Sequence, residues 1–218
     1  MSDAIKQFLE KKFRPDLIDK PLILDADGVI LDFTSGFTSY MNDIHGIQAV
    51  TSEPMHFDFS DAFPDTPKVA KHIPAFLESD HFANVTVYEE PVHEHGVITV
   101  ADILQFLHGK GVILHLVSSV ATNTTVEQTR RDCLKREFGN IFDSVHVIGL
   151  GESKADVLKT LEPGFFVDDQ LSMCKDGSLA GHLSLLKSQK YNAESCKDEM
   201  RVYGIERIKG LIDLPYFQ

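Results

Sequence analysis

Cysteine is scarce: Cys133, Cys174 and Cys196 are odd in number, widely spaced and form no CxxC pair in 218 residues. That pattern argues against a disulfide framework and fits packing side chains in a reducing compartment. Basic residues are also few, with 21 Lys and Arg against 33 Asp and Glu, a formal net charge of −12. A surface of this sign gains nothing from counterion release, and no Lys/Arg cluster with interleaved aromatics appears, so polymeric nucleic acid is not an expected partner. A small anion held by a few local groups stays compatible with the charge. No uninterrupted apolar run approaches the length of about 18 residues that reads as a membrane span. Met1 to Phe13 carries too many charges for a secretory signal. The expectation is a cytoplasmic protein with no membrane partner. Internal repeats, low-complexity tracts and a Pro/Gly linker are missing too.

What is present is ordinary globular material, 43% hydrophobic and 25% charged. This length supports one full core and a small second unit. Short continuous apolar runs stand at Leu22–Leu24, Val112–Val117, Ser144–Ile148, Phe165–Val167 and His182–Leu186. Continuous rather than alternating hydrophobicity marks parallel strands covered on both faces. Helical patterns lie between them. Thr99 with Asp102 caps one that carries Ile103, Leu104 and Leu107. Thr124 with Glu127 opens a second through Val126, Cys133, Leu134 and Phe138 to Gly139. Ser153 with Asp156 opens a third through Leu161. Alternating strand and helix predicts a doubly wound, mostly parallel α/β sheet, with ligands beyond the carboxyl ends of its strands. Ile5, Phe8, Leu9 and Phe13 recur at helical spacing and place an N-terminal helix on the body, in a monomer or a homodimer.

The polar residues sit at those strand ends. Asp25, Ser118 and the pair Asp168 and Asp169 each follow an apolar run, so a parallel sheet gathers them at one edge. Clustered carboxylates raise one another's pKa and need a cation to ionise together. All-oxygen ligands suit Mg²⁺, which commonly bridges to a substrate phosphate. The stretch from Asp27 to Ser118 is far longer than the roughly 30 residues of a strand-helix-strand unit. We therefore expect a core over 1–33 and 97–218, with an inserted helical cap over 34–96. His93-Glu94-His95 lacks further ligands at metal spacing and is not read as a zinc site.

Asp25-Ala26-Asp27-Gly28-Val29 after a buried strand resembles the first motif of the haloacid dehalogenase superfamily. The other three motifs follow in order: Val112 to Ser118, Lys154 at a helix start, and Phe166-Val167-Asp168-Asp169. The resemblance spans residues 21 to about 212 and puts the insert where that superfamily carries type-1 helical caps. Tyr88-Glu89-Glu90-Pro91, Lys187 to Asn192 and Met200 to Ile212 are most similar to deoxyribonucleotidases and their relatives, whereas Ser118-Ser119-Val120 departs from their usual second motif.

The resemblance implies a Rossmann-like core and a Mg²⁺-dependent phosphatase acting on a small phosphorylated metabolite, foremost a nucleoside monophosphate. It makes Asp25 the nucleophile and Asp27 the general acid and base. Because the dehalogenase branch lacks this second Asp, carbon–halogen cleavage is not expected. Ser118, Ser119 and Lys154 would hold the phosphate. Mg²⁺ would take the Asp25 side chain, the Asp27 carbonyl and Asp169, with Asp168 acting through water; the sequence itself does not rank the last two. Phe33, Phe37, Tyr40 and the 56–63 stretch are candidates to meet the substrate, most other insert aromatics forming its own core. Alternatives are a sugar-phosphate phosphatase or mutase, a phosphonate hydrolase using Lys68 or Lys71, and a catalytically idle binding protein of the same fold.

Overall fold

The computed structural model describes residues 2–92, 96–194 and 197–217. His93-Glu94-His95 and Cys196 lie outside the described residues. The strands are β1 (Leu22–Leu24), β2 (Glu89–Val92), β3 (Gly96–Thr99), β4 (Leu114–Ala121), β5 (Ser144–Gly149), β6 (Phe165–Asp168), β7 (Leu183–Lys187) and β8 (Glu206–Ile208). The helices are α1 (Asp3–Lys12), α2 (Phe33–His45), α3 (Ile73–Leu77), α4 (Asp80–Ala83), α5 (Val100–Gly109), α6 (Thr124–Phe138), α7 (Ala155–Leu158), α8 (Leu171–Leu179) and α9 (Lys197–Val202).

Six strands form one sheet in the order β5-β4-β1-β6-β7-β8, every pairing parallel. This is the doubly wound α/β architecture expected from the apolar runs. Leu22 and Leu24 of β1 face one core with α5 and α6, while Ile23 faces a second with Leu158, Phe166 and Met173. Both faces are covered, so β1 reads as continuously apolar. Strand order reverses at β1, with β4 on one side and β6 on the other, and that switch point opens the ligand crevice of such sheets. Cys133 and Cys174 are buried and free. Ile5 and Leu9 seat α1 on the body, with Ser2 as its cap.

Several local expectations shift. β4 starts at Leu114 and runs on to Ala121, because β5 offers partners as far as Gly149; Ser118 therefore lies inside the strand rather than after it. Asn123, not Thr124, caps α6, its Oδ1 accepting from Val126 N–H at 3.0 Å, while Glu127 turns to Arg131. α7 stops at Leu158, short of Leu161. The Val157 carbonyl accepts both the N–H and the hydroxyl of Thr160, and Pro163 then bars helical backbone at Glu162.

The helical part of the insert is bracketed by its own ends. Leu31 bridges to Val87, and Asp32 N–H donates to the Thr86 carbonyl at 2.9 Å. Between them α2, capped by Asp32, packs with α3 and α4 around Phe37, Tyr40, Phe76 and Phe82. β2 pairs with β3 as a hairpin that the sequence reading did not foresee. Glu90 of β2 is buried and accepts the N–H groups of Leu211 (2.8 Å) and Ile212 (3.1 Å).

Candidate active site

Parallel register sets the site. Leu24 lies opposite Leu116 of β4 and Val167 of β6, so Asp25 emerges level with Val117, one residue short of Ser118, on one side and with Asp168 on the other. Asp25 N–H donates to the Val167 carbonyl at 2.9 Å, and the chain then turns at once, the Ala26 carbonyl accepting from Ile30 and Leu31. Gly28 makes this turn possible: its φ is +76°, and a Cβ would collide with the Asp169 carboxylate and the Tyr191 hydroxyl. The turn is pinned from the far edge, Lys187 Nζ donating to the Val29 carbonyl (2.7 Å) and Gln189 Nε2 to the Gly28 carbonyl (2.6 Å). Burial pushes the Lys187 ammonium down to about 8, against the pull of Glu90, Asp169 and Asp32.

Asp25, Asp168 and Asp169 are all buried and offer oxygens within 4.8 Å of one another, the only such metal-holding group among the described residues. Lys154, just before α7 and 2% exposed, lies 2.7 Å from both Asp25 Oδ1 and Asp168 Oδ2. Burial alone would depress its pKa, but Asp168 and Asp25 hold it raised, so it is a fixed cation. The two members of the acidic pair differ. Asp168 uses Oδ2 on Lys154 and Oδ1 on Gln170 N–H, at 2.8 Å. Asp169 accepts the Tyr191 hydroxyl on Oδ2 and leaves Oδ1 buried with no partner. Burial, then the charges of Asp168 and Asp25, raise Asp169 well above the usual carboxylate range; burial raises Asp168 to about 6 despite Lys154.

Asp27 points into the same cavity and is gripped by Arg130 of α6, whose Nη2 lies 2.5 and 2.7 Å from its two oxygens. Burial raises the Asp27 carboxyl to about 6 although Arg130 opposes it. Arg130 is fully buried, stacks 4.4 Å from the Phe82 ring of α4, and leaves Nε and Nη1 without partners. The sequence reading missed Arg130. Its signal was there: Val126, Arg130, Cys133 and Leu134 share one buried helical stripe, where a lone charge requires a partner.

A cavity of about 420 Å³ lies over these groups, between the sheet edge and the helical segment. Asp25, Asp27, Ser119, Lys154, Asp169 and Phe33 line it. Ser119 Oγ is committed to the carbonyls of Gly149 (2.8 Å) and Glu152 (3.2 Å). Ser118 does not line the cavity, and its Oγ is buried without a partner. Two expected contacts are corrected. Phe37 and Tyr40 lie inside the aromatic core of the helical segment, 0% and 5% exposed, because α2 turns that face toward Phe76 rather than the crevice. Their place at the cavity is taken by His56, Phe57, Phe59, Ile73, Pro74 and Leu77.

No protein-family model and no curated protein matches the sequence. Solved structures that resemble the chain over most of its length include two of the haloacid dehalogenase kind. One is a haloacid dehalogenase-like family hydrolase from Streptococcus pneumoniae, 15% identical, covering 91% of this chain and 98% of that one, with a TM-score of 0.56. The other is a dehalogenase, 13% identical, covering 89% and 95%, with a TM-score of 0.54. The chain has the haloacid dehalogenase fold. Within that fold β1 leads into Asp25 and Asp27, β4 carries Ser118 and Ser119, and β6 ends on Asp168 and leads into Asp169. No described helix is long and apolar enough to cross a membrane.

Proposed function

We propose that this protein is a Mg²⁺-dependent phosphomonoester hydrolase acting through an aspartyl-phosphate on Asp25, with the helical segment as a cap over the site. The observation that carries the reading is the buried Asp25–Lys154–Asp168 bridge at the sheet edge, beside an Asp169 oxygen with no partner. Three converging carboxylates with one orphaned oxygen fit a hard divalent cation. Asp25, Asp169 and the Asp27 carbonyl would hold it, with Asp168 held back by Lys154. Bound there, it would supply positive charge against the phosphoryl oxygens.

The chain's own groups account for the two transfers. An Asp25 carboxylate oxygen forms a bond to phosphorus while the phosphorus–oxygen bond to the alcohol breaks. Asp27, in its protonated form, gives its proton to the departing alkoxide. Water then attacks the phosphoryl group, Asp27 takes the water's proton, and the bond to Asp25 breaks to release phosphate. Lys154 keeps Asp25 in place and offsets its charge. Ser118 Oγ is uncommitted in the fold but does not line the cavity, so the hydrogen bond to a phosphoryl oxygen expected of it finds no support.

A proton donor at the leaving-group position favours an oxygen leaving group over a halide, which departs without one. A phosphonate hydrolase working by a Schiff base finds no support, since Lys154 is the only lysine among the described residues lining the cavity. The cap, 34–96 in the sequence reading, is drawn here at 33–85, because β2 pairs with β3 and Glu90 ties it to the chain's end. The substrate class is a small phosphorylated metabolite, with nucleoside monophosphate as the candidate from sequence resemblance. The test is a panel of phosphate esters assayed with Mg²⁺ for the native protein and Asp25→Asn. We expect turnover that falls by about 10⁴-fold or more in the variant while its circular dichroism is unchanged. Undiminished turnover of an aryl phosphate by Asp25→Asn would sink the mechanism.

A further inference from the structure

The cavity has two chemistries. Its floor holds Asp25, Asp27, Asp169 and Lys154, and Lys154 is the only Lys or Arg among the described residues lining it. Its walls are apolar from both sides: Phe59, Ile73 and Leu77 from the helical segment, Val120, Leu150 and Met173 from the sheet side. Two large apolar side chains at the cavity stand open to solvent, Phe57 at 59% and Leu150 at 49% exposure. Exposed apolar surface gathered round a concave site marks a ligand that covers it.

We infer that the alcohol half of the substrate is an uncharged apolar group, aromatic or branched aliphatic, bearing a single phosphate. This rests on the phosphomonoesterase reading and narrows it. Lys154 is already shared between Asp25 and Asp168, so a second phosphate or a carboxylate would be desolvated with no free Lys or Arg among the described lining residues to pair it. A sugar or nucleoside would strip water from several hydroxyls. The hydroxyls of Ser119 and Tyr191 are already spent on the protein's own acceptors, which leaves Thr34, His56 and Gln170 to replace that water. An aromatic ring instead meets Phe57, which stands edge-on to Tyr191 at 5.6 Å between centroids. On this reading an apolar aryl or alkyl phosphate ranks ahead of the nucleoside monophosphate suggested by sequence resemblance.

Calorimetry with non-hydrolysable phosphonates in Mg²⁺ separates the pocket from the reaction. 2-Phenylethylphosphonate should bind at least about tenfold tighter than 3-hydroxypropylphosphonate, since each buried methylene is worth about 0.8 kcal/mol. 3-Phosphonopropionate should bind weakest. Phe57→Ala, a change at an exposed position, should lower the phenylethyl-to-hydroxypropyl ratio by about threefold or more. Equal or reversed affinities, an unchanged ratio in Phe57→Ala, or no phosphonate binding at all each overturn the inference. The outcomes stay distinct: selectivity kept without turnover of any ester retains the pocket and removes the reaction, whereas turnover without selectivity does the reverse.

Discussion

Glu90 and Asp169 are both buried carboxylates, 6% and 3% exposed, yet their surroundings are opposite. Glu90 spends each oxygen on one backbone N–H of the turn at Leu211–Asp213 and lies apart from the acidic cluster. Asp169 sits beside two further acids and has one oxygen with nothing to bind. Burial of an acid therefore does not mark a site. An unfinished hydrogen-bond shell among like charges does, because folding alone gives no reason to tolerate it.

The largest expected stability effect breaks the cluster from below. Arg130→Met leaves the partly buried Asp27 without its partner and removes the cation from the Phe82 ring. The loss should be about 3–5 kcal/mol in urea unfolding, as for other buried ion pairs that lose one member. The double variant Asp27→Leu with Arg130→Met should regain much of that stability but none of the turnover. A single-variant loss under about 1 kcal/mol would mean that the pair contributes little.

Asp25, Asp168 and Asp169 were legible because they follow runs of apolar residues, and a parallel sheet carries such positions to one edge, whereas Asp27 was legible only through the motif it shares with Asp25. Lys154 was legible through its place in the motif order, and the fold class through continuous hydrophobicity at β1, β4 and β6. What stayed hidden depends on tertiary partners. The apolar stripe of α6 marks Arg130 as a charge in need of a partner, but that partner, Asp27, lies 103 positions away and no local pattern names it. Gln189 and Lys187 act on carbonyls of the Gly28–Val29 turn, which no local pattern announces. Phe33 and Phe37 are four residues apart on one helix and both pack against Phe76 and Phe59, yet only the first reaches the cavity, since Phe37 is enclosed by Tyr40 and Phe63 as well. The β2–β3 hairpin was masked by Pro91 and by charges at Glu89 and Glu90.

A matched pair of substitutions sharpens the contrast at intermediate size. Glu90→Gln turns an acceptor into a donor against two backbone N–H groups and should cost about 1–3 kcal/mol. Turnover per folded molecule should not change, because Glu90 does not line the cavity. Asp169→Asn keeps an acceptor for Tyr191 and removes one of the clustered charges. In chelator it should match or exceed the native protein in stability, while Mg²⁺ binding measured by calorimetry weakens by at least about tenfold. Equal stability costs for the two variants would erase the distinction.

The smallest effect follows from titration. Asp27 and Asp168 are raised to about 6 and Asp169 is raised well above the ordinary carboxylate range, from an unfolded value near 3.8. Between those values the folded chain binds more protons than the unfolded one, so the cluster's contribution to stability falls as pH rises. His72, His115 and His146, lowered by burial, act in the opposite direction, so a bare melting curve against pH mixes the two. Magnesium isolates the cluster, because a cation among Asp25, Asp168 and Asp169 favours their ionised forms and leaves those histidines alone. The rise in Tm on adding Mg²⁺ should therefore grow from pH 5 to pH 7.5, at about 2–4 °C for each kcal/mol in a chain of this size. An increment that is flat, or larger in acid, would mean that the cation binds elsewhere and that the orphaned Asp169 oxygen is not its ligand.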